Sequence, residues 1–365
     1  DFGPEAMAKR RTVMDLIEQS FIRFGYDTIE TPVIEYAKTL LGKYGDEGSK
    51  LVYSFKDNGD REIALRYDQT VPLARFVSMY YPELPMPFKR YQISRVWRAD
   101  KPAKGRYREF YQCDVDVIGT ESLLSEVEIA LIIQNVFRKL GFERFSICFN
   151  SRRLMNSVFS SLGIAKNQYA EVLRELDKLT KTTPELVALQ LEKFLEKKVV
   201  DSLMEIVSLE GTNEEKLAAL SAYDTTDVQT FLKLCTKAGL FDDTLQLDLG
   251  LARGLDYYTG IVYEVFLTDF PVGAVCAGGR YDDLCSLFSA RKISGVGVSF
   301  GFDRIMSVMD EAEKLKDLQL NSQVLISNFD PLMLEENFKI AEELRAEGVN
   351  VELYFDECKL AKQLK

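Results

Sequence analysis

Residues 89–119 read KRYQISRVWRADKPAKGRYREFYQCDVDVIG, and this stretch decides the fold expected around it. Two runs rich in aromatic and β-branched residues flank a basic segment with Pro102 and Gly105, a pattern that predicts two strands joined by a loop. Arginine and lysine side chains at strand ends can bind phosphate, although a solvated surface hairpin accounts for them equally well. The cationic residues are Arg95, Arg98, Lys101, Lys104, Arg106 and Arg108.

The second predicted strand, which begins near Phe110, carries polar side chains at alternating positions. Gln112, Asp114 and Asp116 are expected on one face of the strand, since successive side chains point to opposite faces. Cys113 would then lie on the other face. Three polar groups on one face can line a ligand cavity, or they can form the hydrated side of a sheet.

Three further stretches combine charge with turn or helix signals. In RYDQT, Asp68 and Thr70 precede an apolar helix, so Asp68 is expected either to cap that helix or to hold an ammonium group. AGGRYDD (277–283) and GVGVSFGFDR (295–304) are glycine-rich approaches to an arginine that can meet phosphate. Neither matches a Walker or Rossmann pattern.

The stretch LARGLDYYTG (251–260) places Arg253 between apolar residues and a glycine, followed by Tyr257 and Tyr258. Alternating apolar residues before Arg253 indicate a strand, and Gly254 indicates a turn. On that interpretation Arg253 is an exposed charge and the tyrosines are half-buried. A functional role for Arg253 needs support from elsewhere in the chain.

Composition limits the chemistry that the chain can perform. The 365 residues include no histidine, which excludes Ser-His, Cys-His and His-metal catalysis. The six cysteines show no close C-x-x-C pairing, so neither a zinc site nor a disulfide framework is indicated. A net charge of −11 argues against nonspecific nucleic-acid binding. No run of about 18 apolar residues occurs, and a cytosolic location is expected.

The order of predicted elements indicates a core interrupted by helices. Helical periodicity runs from Met7 to Phe24, and a strand is expected through YDTIETPVIEY (26–36). Leu, Glu and Lys at helical spacing dominate between about residues 160 and 240. Strand-like, glycine-rich sequence then returns. A β-α-β pattern follows from QVLISNF through LEENFKIAEELRAEG to NVELYF, which is typical of a separate α/β domain.

Five stretches, in order, resemble signatures of the histidyl-tRNA synthetases, which are class II aminoacyl-tRNA synthetases. RGLDYYTG and AGGRYDDL are similar to the two histidine-specific signatures of that family. The stretch through residues 88–119 resembles the class II second motif. YDTIETPVIE is similar to the first motif, and GVGVSFGFDRI to the third. The resemblance extends from about residue 3 to the end of the chain.

This resemblance implies an α+β fold, with an antiparallel sheet flanked by helices, a helical insertion and a partial C-terminal α/β domain. Residues 1–159 and 241–316 would form the two parts of the catalytic core, and residues 160–240 the insertion. Residues 321–365 would be the start of an anticodon-binding domain, which we expect to be truncated relative to the family.

The resemblance also implies a role for individual residues. Arg98 and Arg253 would face the α-phosphate of ATP from opposite sides and form the catalytic pair. The expected ATP-binding residues are Arg98, Arg106, Phe110 and Arg304. The expected histidine-binding residues are Asp68, Thr70, Gln112, Asp116, Tyr257, Tyr258 and Tyr281. No protein ligand for a metal is expected.

The implied activity is histidine–tRNA ligation, in which histidine reacts with ATP and is then transferred to the 3′ end of tRNA(His). Mg2+ is expected with the ATP phosphates, and a homodimer is expected through the first motif. The alternative is a catalytically inactive relative that senses histidine or tRNA, which would be expected to lose phosphate-binding arginines. A class II synthetase for another amino acid is the second alternative, against which the two histidine signatures argue.

Overall fold

The computed structural model describes residues 1–41, 50–101, 105–180, 182–240, 243–252, 257–316 and 322–364. The chain divides into two compact units, one of residues 14–311 and the other of residues 1–13 with 312–365. In the described part of the chain, no helix has both the length and the apolar character needed to cross a membrane.

Thirteen strands are present among the described residues. In chain order they are β1 (Asp27–Thr28), β2 (Ile34–Tyr36), β3 (Ser54–Lys56), β4 (Glu62–Leu65), β5 (Phe88–Trp97), β6 (Glu109–Ile118), β7 (Phe145–Ser151), β8 (Leu245–Leu247), β9 (Ile261–Leu267), β10 (Cys276–Tyr281), β11 (Gly295–Gly301), β12 (Val324–Ile326) and β13 (Val351–Leu353).

The α-helices of the described residues are mostly short. They are α1 (Pro4–Arg23), α2 (Ala37–Leu40), α3 (Thr70–Tyr80), α4 (Leu124–Lys139), α5 (Arg152–Ser161), α6 (Tyr169–Leu176), α7 (Pro184–Leu191), α8 (Lys197–Val207), α9 (Asn213–Ala219), α10 (Thr226–Lys237), α11 (Phe302–Glu311), α12 (Leu334–Ala346) and α13 (Leu360–Gln363).

The unit of residues 14–311 contains an eight-stranded sheet in the order β1-β5-β6-β11-β10-β9-β7-β8. Its pairs are antiparallel except β1 with β5 and β7 with β8, which are parallel. A second sheet has the order β2-β4-β3. The predicted class II arrangement, an antiparallel sheet flanked by helices, is confirmed.

The basic stretch forms the predicted hairpin. Strands β5 and β6 pair along their full length, from Phe88 opposite Ile118 to Trp97 opposite Glu109. The strand predicted through residues 26–36 is instead two short strands, β1 and β2, in different sheets. Pro32 lies between them and has no N–H to donate, which disfavours a continuous ladder there.

One face of the large sheet is apolar and the other is polar near the ends of β5 and β6. On the apolar face Cys113 lies opposite Phe300, whose ring is 5.8 Å from that of Phe137 on α4 and 5.7 Å from that of Phe21. On the polar face Gln92, Asp114 and Ser299 form one row across three strands, since paired residues share a face. The predicted alternation along β6 is therefore present.

Residues 152–237 are largely helical and contain α5 to α10. A capping box starts α9, because Thr212 Oγ1 accepts from the Glu215 amide at 3.2 Å and the Glu215 carboxylate accepts from the Thr212 amide at 2.8 Å. The boundaries 160–240 for an insertion remain a prediction from sequence.

The second unit contains the predicted β-α-β order. Strands β12 and β13 pair in parallel, and α12 lies between them in the chain. This confirms the element order predicted for this segment, since a parallel pair needs a crossover connection. The short helix α13 follows, where Gln363 accepts from the Asn328 amide at 2.8 Å.

Candidate functional site

A cavity of about 220 Å3 opens where β5 and β6 meet the segments before β10 and at the start of α11. Three arginines from different parts of the chain border it, Arg98, Arg106 and Arg304. Its other lining residues are Asp100, Gly105, Tyr107, Phe110, Gln112, Ala274, Val275, Cys276, Ala277, Ser299, Gly301 and Asp303. Three guanidinium groups at one cavity of an acidic protein form a site for a polyanion.

Arg98 is held rigidly at this cavity. Its Nε donates to the Tyr67 carbonyl oxygen at 3.0 Å, and its Nη2 donates to Gln112 Oε1 at 3.3 Å. The guanidinium lies 4.4 Å from the centre of the Tyr67 ring and 5.2 Å from that of Phe110. Cation–π contacts and hydrogen bonds together fix its orientation before any ligand arrives.

Arg304 and Arg106 both bring positive charge to the larger cavity. Arg304 Nη1 donates to the Ala274 carbonyl oxygen at 2.7 Å, and burial, followed by the charges of Arg106 and Arg98, lowers the Arg304 pKa. Arg106 forms an ion pair with Asp100 at 2.7 Å and is half exposed. The mutual repulsion of the three cations would be relieved by an anionic ligand.

A second cavity of about 120 Å3 lies beside the first and contains buried carboxylates. Both cavities are bordered by Arg98, Gln112, Ala277 and Ser299. The smaller one is also lined by Tyr67, Asp68, Thr70, Asp114, Asp116, Tyr257, Tyr258, Gly278, Tyr281, Gly297 and Val298. A ligand filling both would place negative charge on the arginine side and a cationic or hydrogen-bond-donating group on the carboxylate side.

Asp116, which lines the smaller cavity, is fixed by two partners. It forms an ion pair with the fully buried Arg90 at 2.7 Å and accepts a hydrogen bond from the Tyr281 hydroxyl at 2.6 Å. Burial raises the pKa of Asp116, against the opposing effect of Arg90. Burial and the nearby Asp116 charge raise the pKa of Tyr281, so its hydroxyl stays protonated and donates.

The glycine opposite Asp116 leaves room for its carboxylate. Gly297 pairs with Asp116 across β6 and β11, and a Cβ at Gly297 would lie 2.0 Å from Asp116 Oδ1 and 2.7 Å from the Val115 carbonyl oxygen. Any larger residue would push the carboxylate away. In GVGVSFG, the alternating positions Gly297 and Ser299 therefore line the smaller cavity with small side chains.

Asp68 meets the first of the two alternatives that the sequence left open, a hydrogen bond to the start of the helix, and its binding of an ammonium group stays a prediction. Its Oδ1 accepts from the Val71 amide at 3.1 Å, in the first turn of α3, and the residue also lines the smaller cavity. Thr70, the first residue of α3, lines the same cavity. The start of the helix therefore positions a carboxylate in the wall of the smaller cavity.

The structure brings together the described residues that the family resemblance assigned to ATP and histidine, but not Arg95, Lys101 or Arg108 of the basic stretch. Arg98, Arg106, Phe110 and Arg304 border the larger cavity, and the seven predicted histidine-binding residues border the smaller one, with Gln112 at both. Arg253 lies outside the described residues, so its predicted position opposite Arg98 stays a prediction. Lys104, from the basic loop, also lies outside them.

One arginine singled out as a candidate phosphate ligand is a structural residue instead. Arg280, in AGGRYDD, lies in β10 and is buried in an ion pair with Glu126 of α4. It also donates to the Thr120 carbonyl oxygen at 2.9 Å and to Ser125 Oγ at 3.0 Å. These partners occupy its guanidinium, since a buried arginine needs a compensating carboxylate.

Sequence patterns assign no role to Arg90 or Ser299, and none to Asp114 beyond its face of β6. Arg90 balances Asp116, and Ser299 accepts from Gln112 Nε2 at 2.5 Å. The signal for Arg90 was the alternation of polar residues at positions 90, 92 and 94, which matches the alternation along β6. Alternation alone gives no cross-strand partner, so Ser299 had no comparable signal.

Comparison with known proteins gives the family. The family model for histidyl-tRNA synthetase matches residues 1–305. The chain belongs to the histidyl-tRNA synthetase family. It is 40% identical, over its whole length and 87% of the relative, to a histidine–tRNA ligase of Cytophaga hutchinsonii. It is similarly 40% identical to one of Phocaeicola vulgatus, also over 87% of that relative.

A solved histidyl-tRNA synthetase has the same fold. The crystal structure of the protein from Nostoc sp. PCC 7120 superimposes with a TM-score of 0.87 at 30% identity. The match covers 100% of this chain and 86% of the Nostoc chain. The two adjoining cavities described above therefore lie in a histidyl-tRNA synthetase fold.

Proposed function

We propose that this chain is an ATP-dependent histidine–tRNA ligase. It activates L-histidine with ATP to form histidyl-adenylate and pyrophosphate, and then transfers the histidyl group to the 3′ end of tRNA(His). One observation carries the proposal: a cavity bordered by three arginines adjoins a cavity bordered by three carboxylates, and Arg98 and Gln112 belong to both. That arrangement suits a reaction between a polyphosphate and an amino acid.

In the first step, a carboxylate oxygen of histidine attacks the α-phosphorus of ATP, and the bond from that phosphorus to the bridging oxygen breaks. Pyrophosphate leaves with both electrons of that bond. Negative charge increases on the oxygens around phosphorus, where the guanidinium of Arg98 stabilises it. Arg253 is assigned to the opposite side on its sequence motif. The attacking carboxylate is already ionised near neutral pH, so the step needs no general base.

We assign the larger cavity to ATP. Phe110 stacks on one face of adenine, Arg304 covers the other face near the γ-phosphate, and Arg106 binds phosphate and approaches the tRNA end. The burial of Arg304 and its proximity to two further cations favour a negatively charged ligand there. In the described part of the chain, no group of three or more acidic or cysteine side chains could hold a metal ion. We assign Mg2+ to the ATP phosphates, held by phosphate oxygens and water.

We assign the smaller cavity to histidine. Asp68, Thr70 and Gln112 hold the α-ammonium group, while Asp116 and Tyr258 bind the two imidazole nitrogens, with Tyr257 and Tyr281 lining the pocket. Asp116 suits this role because Arg90 and Tyr281 fix its position in a buried site. An amino acid without a ring N–H would offer this buried carboxylate no additional hydrogen bond, and this difference provides the selectivity.

We further propose that the protein forms a homodimer and is located in the cytoplasm. We also propose the domain assignment made from the sequence, with the catalytic core in residues 1–159 and 241–316. Exposed apolar side chains around the three-stranded sheet support the dimer. They include Val33, Ile34, Tyr36 and Phe55. Residues 160–240 are assigned to an insertion and residues 321–365 to an anticodon-binding domain. Light scattering of the purified protein tests the dimer.

The test of the function is ATP–pyrophosphate exchange by the purified chain, measured with each of the twenty amino acids. We expect exchange with histidine and none above background with the others. An Arg253→Ala variant should lose the exchange while still binding histidine in calorimetry. Wild-type protein that binds histidine but catalyses no exchange would contradict the ligase and indicate a histidine sensor.

A further inference from the structure

Asp114 is a buried carboxylate that the proposed reaction does not use. It is 2% exposed on β6 and lines the smaller cavity, and it is absent from the lining of the larger one. Its Oδ1 accepts no hydrogen bond from the described residues. Because a buried carboxylate without full compensation is costly, this position calls for a reason other than packing.

A chain of hydrogen bonds connects Asp114 to the wall between the cavities. Arg98 Nη2 donates to Gln112 Oε1 at 3.3 Å, and Gln112 Nε2 donates to Ser299 Oγ at 2.5 Å. Ser299 acts as a hydrogen-bond donor that lowers the Asp114 pKa, which assigns its hydroxyl to this carboxylate. Asp114 and Ser299 are register partners across β6 and β11, so the backbone itself places the serine hydroxyl at this carboxylate.

The direction of the hydrogen bonds along this chain is fixed at both ends. Arginine only donates, so Gln112 must turn its oxygen towards Arg98 and its NH2 towards Ser299. An ionised carboxylate only accepts, so the Ser299 hydroxyl must give its hydrogen to Asp114 and accept from Gln112. Both ends therefore select the same orientation of the Gln112 amide.

We propose that Asp114 is a positioning residue which, through Ser299, holds the Gln112 side-chain oxygen towards the bound amino acid. The inference rests on the proposed function, in which Gln112 binds the α-ammonium of histidine. An ammonium group donates hydrogen bonds, so it needs the oxygen of the Gln112 amide and is repelled by the NH2 group. Asp114 would act on histidine binding without a contact to histidine.

The charges around Asp114 make this device dependent on pH. Burial raises the Asp114 pKa to about 7, opposed by Arg90 on β5 and the Ser299 hydrogen bond, and assisted by Asp116 on β6 and Asp68 before α3. Once protonated, Asp114 can donate to Ser299, which frees the serine hydroxyl to donate to a rotated Gln112 oxygen. Histidine activation at limiting histidine should therefore increase as pH rises through about 7.

Asp114→Asn is the first variant, because it keeps the shape and removes the charge. In histidine-dependent ATP–pyrophosphate exchange at pH 8, we expect its KM for histidine to rise about tenfold, because one well-oriented hydrogen bond is lost. The KM for ATP should change less than about threefold. The dependence of kcat/KM on the Asp114 titration should disappear. Titration of the substrate's own imidazole and amino group should persist in both proteins.

Ser299→Ala separates positioning from direct contact. If Asp114 acts through Ser299, this variant should show the same rise in histidine KM, and the double variant should be no worse than either single variant. An unchanged histidine KM in Ser299→Ala, or additive effects in the double variant, would mean that Asp114 touches histidine itself and would overturn the proposal. Ser299→Ala also carries the test alone if Asp114→Asn does not fold.

Asp227→Asn is the matched control. Asp227 on α10 also pairs with a serine, Ser151, and burial likewise raises its pKa, but it borders neither cavity. Its substitution should leave both KM values unchanged. An Asp114→Asn protein with wild-type histidine KM and pH profile would refute the inference and leave the ligase function intact. Absence of exchange in the wild-type protein would refute the function itself.

Discussion

The two adjoining cavities differ in how the chain builds them. The larger one depends on long cationic side chains at the ends of elements, with Arg98 just after β5 and Arg304 in the first turn of α11. The smaller one depends on short polar side chains on the sheet surface, such as Asp116 opposite Gly297. The cationic groups thus extend from the ends of elements, whereas the carboxylates are fixed by the register of the sheet.

This difference predicts different responses to substitution. Loss of an arginine from the larger cavity should reduce reaction rate, because charge increases at phosphorus during the reaction. Loss of a sheet carboxylate should reduce histidine binding and also alter stability, since these carboxylates are buried. The substitutions that follow run from the largest expected effect to the smallest.

Arg98→Ala should lower kcat/KM for ATP by about 100- to 1,000-fold in pyrophosphate exchange, as expected for a fixed charge at the reacting phosphate. Arg95→Ala is the control, because Arg95 pairs with the half-exposed Glu109 at 3.0 Å and borders neither cavity. That control should stay within about threefold of wild type. Equal losses in the two variants would assign the effect to the basic loop as a whole.

Asp116→Asn should raise the KM for histidine about 10- to 100-fold, because a charged hydrogen-bond acceptor for the imidazole is lost. The KM for ATP should change far less. Equal increases in the KM for histidine and the KM for ATP would show that Asp116 supports the whole site and does not bind the imidazole ring specifically.

Asp114→Asn should stabilise the unliganded protein at alkaline pH. The folded-state pKa is raised to about 7, so this carboxyl contributes stability that is present below its unfolded pKa of about 3.9 and is lost as pH rises through 7. Asparagine does not titrate. The unfolding free energy of the variant minus that of wild type should therefore increase by about 2 kcal/mol between pH 5 and pH 8, measured with denaturant. A difference that is constant with pH would contradict the raised pKa.

Tyr281→Phe should have the smallest effect, a rise of about fivefold in histidine KM. Asp116 loses one hydrogen bond but keeps its ion pair with Arg90. Tyr263→Phe is the matched control, because its buried hydroxyl donates to the Glu126 carbonyl oxygen at 3.1 Å, outside both cavities. Similar histidine KM values for the two variants would remove Tyr281 from the proposed positioning of Asp116.

The larger cavity was the easier one to predict from sequence. Arg98, Arg106 and Phe110 lie within one hairpin, where spacing along the chain determines spacing in the fold. The β-α-β order of residues 324–353 and the long pair of β5 and β6 were predicted for the same reason. Local patterns suffice where the partners are close in sequence.

The smaller cavity depends on pairings between residues far apart in the chain. Gln112 meets Ser299 across 187 residues, and Arg280 meets Glu126 across 154. Alternation showed that Gln112, Asp114 and Asp116 share a face, but strand order determines which residues lie opposite them. That is why Arg280 was grouped with phosphate-binding arginines, although the fold buries it against a carboxylate.

The position of Asp116 between Arg90 and Tyr281 has a spectroscopic consequence, because the chain contains no histidine. Every imidazole resonance in a complex with 15N-labelled histidine would come from the ligand. The two ring-nitrogen shifts would report the tautomer and protonation state of the bound ring at this carboxylate, without background signals. Because the protein contributes no imidazole signal, these shifts would show directly how the site distinguishes histidine from other amino acids.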